Sequence, residues 1–239
     1  MRSTAALKDL GELAARVRPV TLTRERRLAV LPALEPLLPG AGLRRGSTVS
    51  VGAAPGVCGA TSLALALLAQ ASTAGSWVAA VGVPSLGLVA ADELGLALER
   101  LVLVAAPERD DWGGVTAALV DGFDIVVLQA DRGGVRLADA RRLTARARER
   151  GTVLVQLGTG WPDGADVDLR IARARWEGID HGHGHLRARK VRVVGGGRGE
   201  AARPRHLDLW LPAANGGVEM VAPARERTVE SPARLRAVV

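Results

Sequence analysis

Five short apolar runs that alternate with helical patterns constrain the fold of this 239-residue chain more than any other feature. The runs occupy residues 48–53, 77–83, 101–107, 124–129 and 152–157. Strands that are apolar throughout are typical of a parallel sheet whose two faces are both covered by helices. The sequence therefore predicts an α/β fold with a mainly parallel sheet flanked by helices.

The helices of this pattern are predicted at residues 61–72, 86–100, 111–121 and 135–150. After residue 160 the pattern changes, because three further strand-like runs follow one another without long helices between them. These runs are residues 166–174, 186–194 and 206–211. Parallel strands need long crossover connections, so this spacing predicts antiparallel edge strands toward the C-terminus.

The two ends of the chain differ from this central pattern. Leucines at helical spacing predict an amphipathic helix over residues 4–17, with a contact stripe of Leu7, Leu10 and Leu13. Proline and glycine in residues 31–47 indicate a loop-like connector, and the last residues have weak periodicity. We predict an N-terminal helical extension (1–30), a core domain (31–212) and a flexible C-terminal tail (213–239).

Composition excludes several classes of protein. A single Cys rules out a disulfide framework and a cysteine zinc site, and five Trp, one Phe and no Tyr disfavour a groove of stacked bases. No signal peptide or apolar run of membrane-spanning length is visible, so we expect a cytoplasmic protein. The net charge is +7, with the basic excess in residues 1–50 and 175–239, which suggests an acidic partner or nucleic acid.

The segment VSVGAAPGVCGATSLALALL (49–68) is a strand, a glycine-rich loop and a helix, the context of a phosphate-binding Walker A loop. With Gly59 as the last glycine of the loop, Thr61 takes the position of the magnesium-binding hydroxyl. Gly56 and Gly59 remain, but Ala60 stands where the phosphate-binding Lys is needed. The loop therefore keeps its backbone donors and lacks its cation.

The longer segment LPGAGLRRGSTVSVGAAPGVCGATSLALALL (38–68) resembles the start of the RecA ATPase core, and the resemblance continues over residues 31–212. It implies that Gln129 replaces the Walker B carboxylate and that the region of Pro84 replaces the catalytic Glu. Asp124 begins its strand instead of ending it, so it is no substitute metal ligand. Since phosphoryl transfer depends on such groups, we expect no catalysis, no metal and at most weak ATP binding.

In the RecA family a long loop after the fifth strand enters DNA, but here GTGWPDGAD (158–166) is short and carries no basic residue. A small RecA-like chain without ATPase residues is similar to the ImuA-type accessory proteins of the bacterial DNA-damage mutasome. The resemblance implies an adaptor in SOS-induced translesion synthesis and DNA repair. Its partners would be an inactive Y-family polymerase-like protein of the ImuB type and, through it, an error-prone replicative-type polymerase.

Two other functions stay open from the sequence. One is an active P-loop ATPase in DNA repair whose cation, such as an Arg, enters from another segment or subunit. The other is a cell-division inhibitor of the SulA kind. Self-association and weak DNA contact are compatible with each of them.

Candidate contact residues lie mainly in the basic C-terminal part. Arg187, Arg189 and Arg192 mark the polar side of one strand, and Arg225 and Arg227 lie in the tail. Trp161, in the short loop, is the better of the tryptophans as a partner contact, because Trp176 and Trp210 lie in strand-like runs. Three further features are interpreted as structural. HGHGH (181–185) is predicted to be a polar loop and Cys58 a small apolar filler. The arginines of residues 141–150 are predicted to form a solvated helix face.

Overall fold

The computed structural model describes residues 27–84, 86–129, 135–158, 160–180 and 183–222. A nine-stranded mixed sheet forms the centre of this part of the chain, in the spatial order β11-β10-β9-β8-β3-β7-β6-β4-β5. Its strands are β3 (Thr48–Ala53), β4 (Val78–Val81), β5 (Leu101–Val104), β6 (Ile125–Gln129), β7 (Val153–Leu157), β8 (Val167–Asp180), β9 (His183–Gly197), β10 (Arg205–Trp210) and β11 (Glu219–Met220).

The predicted α/β class, a mainly parallel sheet with antiparallel edge strands, is confirmed. The strands β8, β3, β7, β6, β4 and β5 pair in parallel, and β9, β10 and β11 add antiparallel pairs beyond β8. In the described part of the chain, four α-helices connect the successive strands from β3 to β7: α1 (Ala60–Thr73), α2 (Leu88–Glu93), α3 (Trp112–Gly122) and α4 (Leu137–Arg150). Each parallel pair needs such a crossover, which is why the apolar runs and helical patterns alternate along the sequence.

The sheet has a hydrophobic core on each face. The larger core packs α1 side chains such as Leu63 and Leu67 against Val49 and Val51 of β3. The second core packs Leu143 of α4 against the other face of β6 and β7. Neighbouring residues of one strand point to opposite faces, so a strand buried by both layers must be apolar throughout.

The connector at residues 31–47 differs from the predicted loop. It contains two 3₁₀ helices, Pro32–Leu37 and Pro39–Ala41, followed by β2 (Gly42–Arg44), which pairs with β1 (Arg27–Ala29). Leu34 and Leu37 are fully buried in the larger core. Proline fits the first position of a helical turn, where no N–H partner is needed, so the prolines start turns here without excluding the segment from the core.

Two further boundaries differ from the sequence prediction. The single helix predicted at residues 86–100 is α2 followed by a short 3₁₀ turn, because the chain reverses at Gly95, whose φ is +88°. Within the predicted tail, residues 213–222 belong to the folded part: Ala213 is buried and β11 pairs with β10. The division into three units otherwise stays a prediction, since residues 1–26 and 223–239 lie outside the described part.

Candidate functional site

The glycine-rich loop joins β3 to α1 with the backbone that the sequence predicts. Gly56 and Gly59 have positive φ angles of 74° and 118°, and Gly59 is the N-cap of α1. The Val57 N–H donates to the Ala54 carbonyl at 2.9 Å and closes the turn. The first N–H groups of a helix have no partner within it, so the loop presents backbone donors at residues 59–61.

The three positions that replace ATPase chemistry lie at the same edge of the sheet, because the carboxyl ends of parallel strands meet there. The ends of β4 and β6 touch: a Cβ placed on Gly82 would lie 2.9 Å from the Gln129 carbonyl oxygen. Gln129 and Pro84 are exposed, and Ala60 is half-buried beside Thr61. The methyl group of Ala60, the ring of Pro84 and the amide of Gln129 supply neither a cation nor a carboxylate for phosphate chemistry.

Asp124 lies at the opposite edge of the sheet. Its carboxylate accepts hydrogen bonds from Arg45 at 2.8 Å and from the Trp77 N–H at 3.0 Å, both at the amino ends of strands. The predicted position of Asp124 at the entry of its strand is confirmed, and the absence of a metal-binding role stays a prediction.

Arg189 is the residue whose position differs most from the sequence prediction. It was placed on a polar strand face, but only 5% of its surface is exposed. Its Nε donates to the Leu211 carbonyl at 2.7 Å, and its guanidinium lies 5.1 Å from the Trp176 ring. The side chain packs against the loop, since a Cβ on Gly59 would lie 2.9 Å from Arg189 Nη2.

The physical reason is the two-residue period of a strand. Arg189 shares its face of β9 with Val191 and Val193, which are buried in the larger core, whereas Lys190 and Arg192 share the other face. Burial lowers the pKa of the Arg189 guanidinium, and the neighbouring Cys58 partly offsets that effect. Arg189 Nη2 is buried without a hydrogen-bond partner among the described residues.

The other two arginines predicted on β9 are exposed. Arg192 makes two hydrogen bonds of 2.7 Å with the Asp208 carboxylate of β10, and these bonds lower the pKa of Asp208. Arg187 lies farther along β9, where β8 and β9 continue past the strands that flank them.

Three further basic residues lie on the same sheet face as Arg192, and the sequence did not predict them as contacts. They are Lys190 of β9 and Arg173 and Arg175 of β8. The alternation of alanine and arginine in ARAR (172–175) was the available signal.

Trp161 is not the partner contact that the sequence predicts. It is 5% exposed, packs in the second core, and donates from Nε1 to Thr144 Oγ1 at 3.0 Å. The short loop folds back onto α4, so the indole of Trp161 fills space in the second core. Trp176 is the more exposed residue at 41%, and Trp210 is half-buried in β10.

The arginine stripe of α4 agrees with the solvated-face interpretation. Arg146 and Arg150 bind the Asp121 carboxylate at the end of α3, and Arg142 binds Asp139. The hydrogen bond from Arg146 lowers the pKa of Asp121 to about 2. Each of these arginines therefore has a carboxylate partner.

The remaining predicted residues cannot be placed. Leu7, Leu10, Leu13, Arg225 and Arg227 lie outside the described residues. Within the described ranges, no group of three His, Cys, Asp or Glu side chains has the arrangement of a metal site. None of the helices described there is long and apolar enough to cross a bilayer.

The family described as MT3502 N-terminal domain matches residues 36–163, which is more than half of the chain. This chain belongs to the MT3502 N-terminal domain family. A curated relative from Mycobacterium tuberculosis (strain ATCC 25618 / H37Rv), named uncharacterized protein Rv3395c, is 40% identical over 114 residues. The aligned part is 48% of this chain and 54% of that protein, so the chain spans about half the length of the relative.

The MT3502 N-terminal domain match has a definite place on the fold. It begins in the buried 3₁₀ turns before β2 and ends in the loop after β7. It therefore includes the glycine-rich loop, Pro84 and Gln129. The strands β8 to β11, with Arg189 and the exposed basic residues, lie after the matched segment.

Proposed function

We propose that this MT3502 N-terminal domain protein is a non-catalytic RecA-like adaptor in DNA-damage-induced translesion synthesis. It would bind an inactive Y-family polymerase-like protein and, through it, an error-prone replicative-type polymerase. The observation that carries the proposal is the loop after β3: its backbone fits phosphate, but Ala60, Pro84 and Gln129 supply no catalytic group at that edge.

A non-catalytic role requires a surface for partners, and the C-terminal part offers one. β8 and β9 continue as a two-stranded hairpin beyond the residues that pair with β3 and β10. Trp176, Ile179 and Leu186 are exposed along this hairpin. A two-stranded ribbon is marginally stable alone, so a partner that covers these residues would stabilise it.

Partner binding is tested by co-purification with an inactive Y-family polymerase-like protein. We expect the full chain to retain that protein and a chain lacking residues 223–239 to lose it while keeping its melting temperature. The cut follows Ala222 because residues 213–222 belong to the folded part. A second variant, Trp176→Ala with Ile179→Ala in the full-length chain, tests the hairpin as the alternative contact surface.

Loss of binding by the truncated chain alone would place the contact in the tail, and loss by the hairpin variant alone would move it to β8 and β9. If the full chain fails to retain the polymerase-like protein under conditions where both are folded, the adaptor function is wrong.

An ATPase with a displaced cation is the second candidate, and Arg189 is the observation that favours it. Its guanidinium reaches the loop from β9 and lies against Gly59, next to the start of α1. A cation beside the N-terminus of a helix would attract a phosphate group. Two observations weigh against the ATPase. The Nε of Arg189 donates a hydrogen bond to the Leu211 carbonyl, and its Nη2 is buried on the Gly59 side.

We expect no magnesium-dependent ATP hydrolysis above background, because Arg189 is fixed away from solvent and neither Pro84 nor Gln129 supplies an acidic group. A phosphate-release assay on the purified chain measures this. Turnover that disappears in both Thr61→Ala and Arg189→Met, but persists in the exposed control Arg187→Met, would establish the displaced-cation ATPase instead.

A further inference from the structure

We propose that one face of the β8–β9 ribbon binds the phosphodiester backbone of nucleic acid. The surface, called here the basic block, consists of Arg173, Arg175, Lys190 and Arg192. In the sheet register Arg173 lies opposite Arg192, and Arg175 lies opposite Lys190. Residues directly opposite each other share a face, as do residues two apart on one strand, so the four cations form a two-by-two array.

This array of like charges destabilises the folded protein unless negative charge offsets it. Like charges directly opposite each other destabilise an antiparallel pair. Among the described residues, the one carboxylate bound to the block is Asp208, which holds Arg192. On α4, by contrast, each arginine of the stripe contacts a carboxylate, Arg142 that of Asp139, and Arg146 and Arg150 that of Asp121. The basic block therefore carries more unpaired positive charge than the α4 stripe, on adjacent positions of one sheet face.

The block borders a groove that is large enough for a ligand. A cavity of about 500 Å³ is lined by the four basic residues and by Asp208, Val57, Val191, Ala172 and Ala174. All four basic side chains are exposed, so their charged groups are free to meet a ligand from solvent. Three of them, Arg173, Arg175 and Lys190, have no carboxylate partner within the described ranges.

The chemistry of the groove favours nucleic acid over an acidic protein surface. Protein interfaces concentrate their binding energy in large apolar or aromatic anchors, but the groove walls carry only Val and Ala side chains. Trp176 points to the opposite face, where Arg189 covers it. A surface of cations without anchors suits a chain of phosphates, which needs charge and no sequence-specific pocket.

Nucleic-acid binding goes beyond the proposed adaptor function and does not depend on it. The block lies on β8 and β9, outside the loop and outside the tail. A chain that fails to bind the polymerase-like partner could still bind DNA, and the reverse also holds.

The test is fluorescence anisotropy of the full chain with labelled DNA of about 20 nucleotides, single-stranded in one arm and duplex in the other, over a range of salt concentrations. Three unpaired cations predict that affinity falls about 20-fold for single strands and about 40-fold for duplex between 50 and 200 mM salt, since about 0.7 or 0.9 counterions are released per contact. Comparison of the two arms shows whether the basic block binds single-stranded or duplex DNA more tightly.

The variant Arg173→Gln with Arg175→Gln removes two contacts. We expect it to bind about 25-fold more weakly to single strands and about 60-fold more weakly to duplex at 0.1 M salt, with a shallower salt slope. The matched control, Arg109→Gln with Arg142→Gln, removes the same charge from exposed positions near α3 and α4. Thermal melts of all three proteins check that each is folded.

Three outcomes would overturn the proposal. One is the absence of salt-dependent DNA binding by the folded full chain, and another is an equal loss of affinity in both double variants, which would indicate a net-charge effect. The third is competition by poly-glutamate as strong as competition by unlabelled DNA, which would identify the block as a surface for an acidic protein.

Discussion

Replacing Trp161 with Ala will lower the free energy of unfolding by about 3–5 kcal/mol, the range for removing a buried aromatic side chain. The indole fills the second core beneath the loop after β7, and its Nε1 donates to Thr144 Oγ1. The substitution removes the packing and leaves the Thr144 hydroxyl without this donor. Urea unfolding followed by far-UV circular dichroism measures the change.

Trp176→Ala is the matched control, because it removes the same side chain from an exposed position. We expect it to cost about 1 kcal/mol or less, the range for a cation–π contact at an exposed site. A Trp161 variant as stable as the Trp176 variant would contradict the buried position of Trp161 and restore it as a contact residue.

Replacing Gly59 with Ala will destabilise the protein by about 2–5 kcal/mol, for two reasons. A residue with a Cβ is strained by about 1–2 kcal/mol in a left-handed conformation, and Gly59 has φ +118°. The new Cβ would also lie 2.9 Å from Arg189 Nη2 and 3.0 Å from Ile171 Cδ1, and overpacking adds about 1–3 kcal/mol. The midpoint of urea unfolding reports the sum.

Gly56→Ala separates the two contributions, because Gly56 also has a positive φ but has nothing within 4 Å of an added Cβ. We expect this control to show the conformational cost alone, about 1–2 kcal/mol. Equal losses for the two variants would mean that Arg189 does not pack against the loop. If Arg189 does pack against the loop, combining Gly59→Ala with Arg189→Met should recover part of the lost stability.

The sequence predicted the elements that local pattern defines. Apolar runs such as residues 48–53 and 152–157 became β3 and β7, and the glycine-rich loop took the strand–turn–helix form. A strand covered on both faces has no polar alternation, so its signal is local and strong. The antiparallel edge followed from connection length, which is also a property of the sequence alone.

Prediction was wrong where distant contacts override local composition. The prolines at residues 32–39 indicate a loop, but Leu34 and Leu37 are buried because β10 packs beside this turn and the larger core encloses them. The predicted helix at residues 86–100 ends early at Gly95, whose left-handed conformation suits glycine. Trp161 is flanked by Gly and Pro, yet its loop folds back onto α4.

The sequence by itself determined which residues alternate along each strand. It follows that Arg173 and Arg175 share a face of β8, and that Lys190 and Arg192 share a face of β9. Only the tertiary structure decided which of these pairs meet. A register shift between Ile171 and Arg173 sets Arg173 opposite Arg192, and packing against the loop after β3 buries Arg189. The period of a strand is local, whereas its register depends on bulges and on the strands beside it, so the basic block and the buried arginine became visible only in the folded chain.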